Sequence, residues 1–225
     1  VMNQALYFVI FGTFIGSRVG DIGGVPYMAF IVPGLVMMAV INSAFSNVVS
    51  SFFGSKFQRN IEELIVSPTP NWVIVGGYVV GGMLRGILVG LIVLMVSIFF
   101  TLPVITYPLI VFLFITLTSL VFALGGLTNA IFATKFDDVS VFTTFVLTPL
   151  SYLGGVFYSI KSLPDPWQTV ALANPILYLI DGFRFGFYGV SDVSIYTSLS
   201  VLIVMTAVLV WYNLYLLNRG IGMKN

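Results

Sequence analysis

Long runs without a charged residue alternate with short polar segments along this chain of 225 residues. A helix that crosses the hydrocarbon core of a bilayer needs about 20 consecutive, mostly apolar residues. By that measure the pattern predicts six transmembrane helices, at residues 1–16, 27–50, 72–101, 108–133, 139–153 and 193–217. The predicted fold is therefore an all-α, polytopic membrane protein with a single transmembrane domain over residues 1–225.

The connection between the second and third predicted spans, residues 54–71, is polar and charged. Within it, Phe57, Ile61, Leu64 and Ile65 recur at the spacing of one helix face, and two prolines then stop the helix. We predict a short amphipathic helix here. It either lies among the lipid headgroups or docks on a soluble partner, and the spacing is compatible with both.

The connection between the fifth and sixth predicted spans, residues 154–192, is too apolar for an ordinary loop and too broken for one span. Its breaks come from glycine and proline: Gly154, Gly155, Pro164 and Pro175. We predict two short re-entrant or extracellular helices, whose irregular backbone must be packed in protein or line a wet cavity. Asn174 followed by proline predicts a helix start. Asp181 and Arg184, three positions apart, predict a local ion pair on that helix.

Lysine and arginine near the ends of spans indicate orientation, because they are more frequent on the cytoplasmic side. Counted over alternate connections, five lie on the side of residues 54–71 and of the C-terminus, and three lie on the other side. This places residues 54–71 in the cytoplasm and residues 154–192 outside. The aromatic residues of the outer segment suit that interface, and Tyr152, Phe157 and Tyr158 are candidates for lining a cargo path.

Arg85 lies near the middle of the third predicted span. A charge at that depth costs roughly 2.5–3.5 kcal/mol on insertion scales. It either faces a transport pathway or cargo, or it caps carbonyls and snorkels. Small residues four apart surround it and allow helices to approach closely, either within one chain or between two copies: Gly77, Gly81, Gly82, Gly86 and Gly90.

Composition removes several classes of function. The chain is 59% hydrophobic and 8% charged, with a formal net charge of +1, so no basic surface for nucleic acid is indicated. It has no cysteine and no histidine, which excludes thiolate and imidazole metal sites. No glycine precedes a lysine, so no phosphate-binding loop is present. We expect neither an enzyme nor a cofactor site on this chain.

Five stretches, taken in order, resemble the membrane subunit of type-2 ABC exporters, over nearly the whole chain. They are FIVPG at 30–34, FGSKFQRNIEEL at 53–64, FDD at 136–138, LTPLSYLGGVFY at 147–158, and a run through LP, NP and DGFR at 163–184. The ordered set carries the resemblance, since each stretch alone is unspecific. The family includes bacterial polysaccharide and drug efflux permeases.

This resemblance implies a half-transporter of the bacterial inner membrane that works as a pair and binds two copies of a separate cytoplasmic ATPase, which holds ATP and Mg. The coupling helix would dock on that ATPase through these residues: Lys56, Phe57, Arg59, Asn60, Ile61, Glu62, Glu63 and Leu64. The region after Gly154 would form re-entrant helices at the outer face. An amphipathic helix would precede the first span and is missing here. Cargo would be a glycan, a lipid-linked glycan or a drug-like molecule.

Two other functions stay open at this stage. An ion-coupled secondary transporter would need acids at the membrane midplane or a histidine relay, and neither is visible. A membrane assembly factor that transports nothing is compatible with the same pattern. Lipid is the expected surrounding in every case.

Overall fold

The computed structural model of the chain describes residues 2–16, 18–61, 63 and 67–222. Helices dominate these residues, and within them no strand extends beyond an isolated bridge between Ile22 and Val25. In chain order the helices are α1 (Met2–Ile15), α2 (Tyr27–Phe57), α3 (Asn71–Ser97), α4 (Pro108–Phe132), α5 (Phe136–Phe142, Thr143–Leu147 and Thr148–Leu153), α6 (Asp165–Leu172), α7 (Pro175–Tyr188) and α8 (Ile195–Asn218). The all-α prediction is confirmed.

Four of these helices, α2, α3, α4 and α8, are long and apolar enough to cross a membrane. They correspond to the second, third, fourth and sixth predicted spans. The first and fifth predicted spans are helical but shorter. The helix α1 consists of segments of 6 and 8 residues, and α5 of segments of 7, 5 and 6 residues. At 1.5 Å per residue they reach about 21 and about 27 Å, against a hydrocarbon core of about 30 Å. A count of six spans stays a prediction.

The helix α2 is the centre of the fold. In its most apolar stretch 83% of the residues are buried, compared with 28% in α3, 50% in α4 and 17% in α8. Glycines let its neighbours approach closely: a Cβ at Gly86 of α3 would lie 2.9 Å from the Ala44 Cβ, and one at Gly126 of α4 would lie 2.6 Å from the Phe45 carbonyl oxygen. Gly82, Gly86 and Gly90 therefore pack α3 against its own chain.

The segment between α5 and α8 folds as two short helices, α6 and α7, as predicted. The Asn174 side chain accepts a hydrogen bond from the Ile176 N–H at the start of α7, and Gly189 ends the helix at a φ of 68°. Glycines also seat α7 on α4, because a Cβ at Gly182 would collide with the Phe114 ring. The segment is apolar because α7 is buried in the protein.

The connection at residues 54–71 differs from the prediction. The helix α2 continues through Phe57, and the chain turns at Gln58 and Arg59, where the Arg59 φ of 61° ends the helix. No proline lies between Pro33 and Gln58, so extending α2 to Phe57 adds a hydrogen bond per residue without a new nucleus. Residues 60, 61 and 63 are helical again. The turn separates Phe57, which is 66% exposed, from Ile61, which is 2% exposed, so they do not share one face.

Candidate functional site

Lys56, predicted to contact a partner, is directed into the protein instead. Its side chain is 9% exposed, and its ammonium donates hydrogen bonds of 2.9 Å to the carbonyl oxygens of both Ile131 and Ala133. These carbonyls lie at the C-terminal end of α4, where the helix dipole favours a cation. Lys56 thereby ties the C-terminal end of α2 to the end of α4, and its contact with a partner stays a prediction.

The other described residues of the predicted coupling segment come just after Lys56 in the chain. Phe57, Arg59, Asn60 and Glu63 are exposed, whereas Ile61 is buried in the main hydrophobic core and anchors the segment. The predicted coupling residues Glu62 and Leu64, together with Ile65 of the predicted apolar face, lie outside the described residues. The result is a mainly polar surface at the end of α2, which we name the cytoplasmic surface (Phe57, Arg59, Asn60 and Glu63) after its predicted location.

At the opposite end of α2, Arg184 of α7 is buried, with 4% of its surface exposed. Its Nη2 donates a hydrogen bond of 2.6 Å to the Gly155 carbonyl oxygen, and its guanidinium carbon lies 3.8 Å from the centroid of the Phe30 ring. Burial lowers the pKa of Arg184 to about 10. One side chain thus holds α2, α7 and the segment after α5 together.

Asp181 and Arg184 do not form the ion pair that their spacing predicts. The Asp181 carboxylate instead accepts backbone hydrogen bonds of 2.9 Å from both Asp192 and Val193, because it caps the chain that returns toward α8. Burial raises the pKa of Asp181, and the two backbone donors oppose that shift. The charge of Arg184 also favours the carboxylate, although no ion pair forms between the two side chains.

Asp192, which sequence reasoning missed, completes this arrangement. Its carboxylate accepts hydrogen bonds from the Ser159 hydroxyl, at 2.7 Å, and from the Ile160 N–H, at 2.9 Å, and it lies 3.6 Å from the Lys161 ammonium. The polar pair Ser191-Asp192 just after α7 was the available signal. Together these contacts form a cluster that we term the outer clasp, after its predicted location: Phe30, Gly155, Asp181, Arg184 and Asp192. It borders a cavity of about 310 Å³.

Glycines let residues 154–156 pack closely against α2 and α7, and prolines stand at the starts of α6 and α7. A Cβ at Gly34 would lie 2.8 Å from the Val156 backbone, so the turn after α5 rests directly on α2. Gly155 has a φ of 77°, in the left-handed region that favours glycine. Gly154 packs equally closely on Ile176. Pro164 directly precedes α6, and Pro175 is the first residue of α7, where proline is common.

The three aromatic residues that were predicted to line a cargo path lie in two different places. Tyr152 and Phe157 stack at 5.9 Å and meet α1, where the Tyr7 and Tyr152 hydroxyls share a hydrogen bond of 2.6 Å and the Phe11 and Phe157 rings stack at 4.1 Å. Tyr158 instead lines an apolar cavity of about 430 Å³ beside α6. The i, i+4 spacing of Tyr7 and Phe11 could have indicated their part in this aromatic cluster.

Arg85 belongs to neither place. It lies on the exposed face of α3 and makes no hydrogen bond or ion pair with any residue that the structure describes. A polar contact missed by sequence reasoning lies elsewhere, at Asn213 of α8. This buried amide donates to the Leu124 carbonyl oxygen of α4 and accepts from the Thr128 hydroxyl, both at 3.2 Å.

Comparison with known proteins adds independent information. A family model described as ABC-2 type transporter matches residues 1–188. The inner membrane transport permease YadH of Escherichia coli K12 is 52% identical over 225 residues, which is 100% of this chain and 88% of that protein. Nodulation protein J of Rhizobium leguminosarum bv. trifolii is 28% identical over 190 residues, 80% of this chain and 69% of that protein. Nodulation protein J of Sinorhizobium fredii is 26% identical over 173 residues, 76% and 65% respectively.

Proposed function

The chain belongs to the ABC-2 type transporter family, and from this premise we propose that it is the membrane-spanning subunit of an ATP-driven exporter, paired with a second copy and with two cytoplasmic ATPase subunits. As a family member with four long apolar helices, it is a multi-pass membrane transport permease. The name of its E. coli relative supports a location in the inner membrane. Export, pairing and the ATPase are the parts that we propose.

One observation carries the proposal: α2 connects the two ends of the protein. Its 31 residues extend over about 46 Å, more than the thickness of a hydrocarbon core. Its cytoplasmic end carries the cytoplasmic surface and, through Lys56, the end of α4. Its other end meets the outer clasp at Phe30 and the turn after α5 at Gly34. A displacement applied at the cytoplasmic surface therefore has a packed helix to carry it outward.

The sequence supports the proposal of an ATPase partner. Without a phosphate-binding loop the chain has no means of binding ATP in the usual way, so energy has to enter from outside it. In the proposed cycle, ATP closes the two ATPase subunits and shifts the cytoplasmic surface. The movement of α2 then loosens the outer clasp and the aromatic cluster, and the path opens outward. ATP acts only through contacts that differ between the two states.

The experiment is to purify the full chain from bacterial membranes and to test which ATPase accompanies it. The double variant Arg59→Glu with Glu63→Lys inverts two exposed charges of the cytoplasmic surface, and we expect it to reduce the bound ATPase about tenfold or more. The matched control, Arg18→Glu with Asp165→Lys, makes the same exchange at exposed residues on the outer side and should leave the complex intact.

Three results would contradict the proposal. No ATPase of the ABC class accompanies the chain, the cytoplasmic double variant retains its ATPase fully, or the purified chain alone transports cargo along an ion gradient. The last result would favour the ion-coupled transporter. Stable complexes that contain the ATPase but show no ATP-dependent transport would favour an assembly factor.

A further inference from the structure

The helix α3 carries two rows of glycines. In one of them, the filled row, a neighbouring helix occupies the space beside the glycines; in the other, the open row, that space is empty. A Cβ at Gly82 would lie 2.3 Å from a Val48 methyl of α2, and Gly86 makes a similar approach to Ala44. A Cβ at Gly77 or Gly81, in contrast, would meet nothing within 4 Å. The filled row shows how this helix accepts a neighbour at close range, and the open row has the same form without a neighbour.

Arg85 continues the open row, four positions after Gly81. It lies near the middle of the 27-residue helix α3, and its side chain is exposed. The surface around it is apolar, with these exposed neighbours: Val80, Leu84, Leu88, Leu91, Ile92 and Met95. An apolar surface of this kind suits lipid or another helix rather than a wet path. The one charge on it needs an acceptor that lipid tails do not supply.

No acidic residue in the part of the chain that the structure describes is placed to neutralise Arg85. The eight aspartates and glutamates all lie outside α2, α3, α4 and α8. Asp137 and Asp138 are at the first turn of α5, and Asp181 is buried in the outer clasp. The other five lie in connections or in α6. The four long helices therefore offer no carboxylate to Arg85.

A second copy of the chain does not supply one either. Two copies that share one membrane orientation are related by an axis along the membrane normal, so equivalent residues lie at equal depth. Pairing through this face of α3 would bring Arg85 of one copy near Arg85 of the other, and like charges repel strongly where the dielectric constant is low.

We propose that the face of α3 formed by Gly77, Gly81 and Arg85 binds a transmembrane helix of a different protein, one that carries an aspartate or glutamate at the depth of Arg85. The glycines let the backbone of that helix approach closely. The carboxylate then accepts paired hydrogen bonds from the guanidinium group, which is the strong form of that contact. This partner differs from the cytoplasmic ATPase, so the inference stands or falls independently of the proposed function.

The test uses a photo-crosslinking residue at the exposed Leu84, beside Gly81 and Arg85, in the full chain in native membranes, with the same residue at Val204, on the exposed face of α8, as the control. We expect a crosslink at Leu84 only, to a span of another protein that contains a mid-membrane acid. Arg85→Leu should weaken the crosslink about tenfold or more. Arg85→Glu combined with arginine at the partner's acid should restore it.

A second variant, Gly81→Leu, separates loss of partner binding from loss of folding. It fills the open space beside Gly77 and Gly81 and leaves the charge of Arg85 in place. This variant should also abolish the crosslink while the melting temperature stays unchanged. The inference is overturned if crosslinks reach only lipid or a second copy, or if the crosslinked span has no acid. It also fails if Arg85→Leu leaves the crosslink intact. Labelling of Gly81→Cys by a membrane-impermeant thiol reagent would indicate a wet path and overturn it too, and the cysteine-free chain makes that assay specific.

Discussion

Replacing Lys56 with methionine tests the contact that joins α2 to α4. The ammonium donates two hydrogen bonds of 2.9 Å to buried carbonyls, and hydrogen bonds to charged groups contribute about 1.5–3 kcal/mol each. The attraction of a cation to a helix C-terminus adds up to about 2 kcal/mol. Removing the ammonium from water costs several kcal/mol and offsets much of that gain. We expect a net loss of about 2 kcal/mol for Lys56→Met, because methionine retains the packing of the apolar stem.

A loss of that size lowers the melting temperature by about 4–8 °C for a chain of this length. The measurement is thermal unfolding of the purified protein in detergent, followed by helical circular dichroism. Lys161→Met is the matched control, because that lysine is 71% exposed and its ion pair at 3.6 Å contributes little. If both variants melt within about 1 °C of the parent, the two carbonyl contacts do not stabilise the fold and the reasoning is wrong.

Three further variants test other contacts. Gly34→Ala places a methyl group against the turn after α5 and should cost about 1–3 kcal/mol in the same assay, whereas Gly54→Ala, with open space around it, should be neutral or stabilising. Asn213→Leu should lower the free energy of unfolding by about 0.6–1.7 kcal/mol, the range for interhelical hydrogen bonds in membranes, while Thr206→Val, whose hydroxyl donates to the Leu202 carbonyl oxygen within α8, should lower it less. Asp181→Asn should accelerate hydrogen exchange at the amides of residues 192 and 193; unchanged exchange would contradict its capping role.

Glycine spacing illustrates how far sequence reasoning reaches. It indicated close helix packing along α3, and Gly82 and Gly86 confirm that prediction within the chain. It could not tell that row from the one at Gly77 and Gly81, which is open. The two rows are equivalent in spacing, and the direction in which each faces depends on where α2 and α4 pack.

The charged residues show the opposite case, in which spacing misled. Lys56 belongs to a polar stretch of the sequence, yet α2 continues through this position and places its ammonium at the C-terminal end of α4. Asp181 and Arg184 have the spacing of an ion pair, yet each finds backbone partners. A buried charge takes the nearest unpaired backbone groups, and local sequence does not show which groups those are.

The order of apolar and polar residues is sufficient to identify the class of protein and to locate its long helices. Transfer of apolar side chains from water to lipid depends on composition over a stretch of about 20 residues, so the sequence alone can predict it. The contacts between distant residues could not be predicted in this way: Arg184 reaches Gly155, and the Tyr188 hydroxyl reaches the Ala29 carbonyl oxygen, 159 positions away. Such partners are selected by how the helices pack, because each hydrogen bond and ring contact requires a specific separation that only the packed helices set.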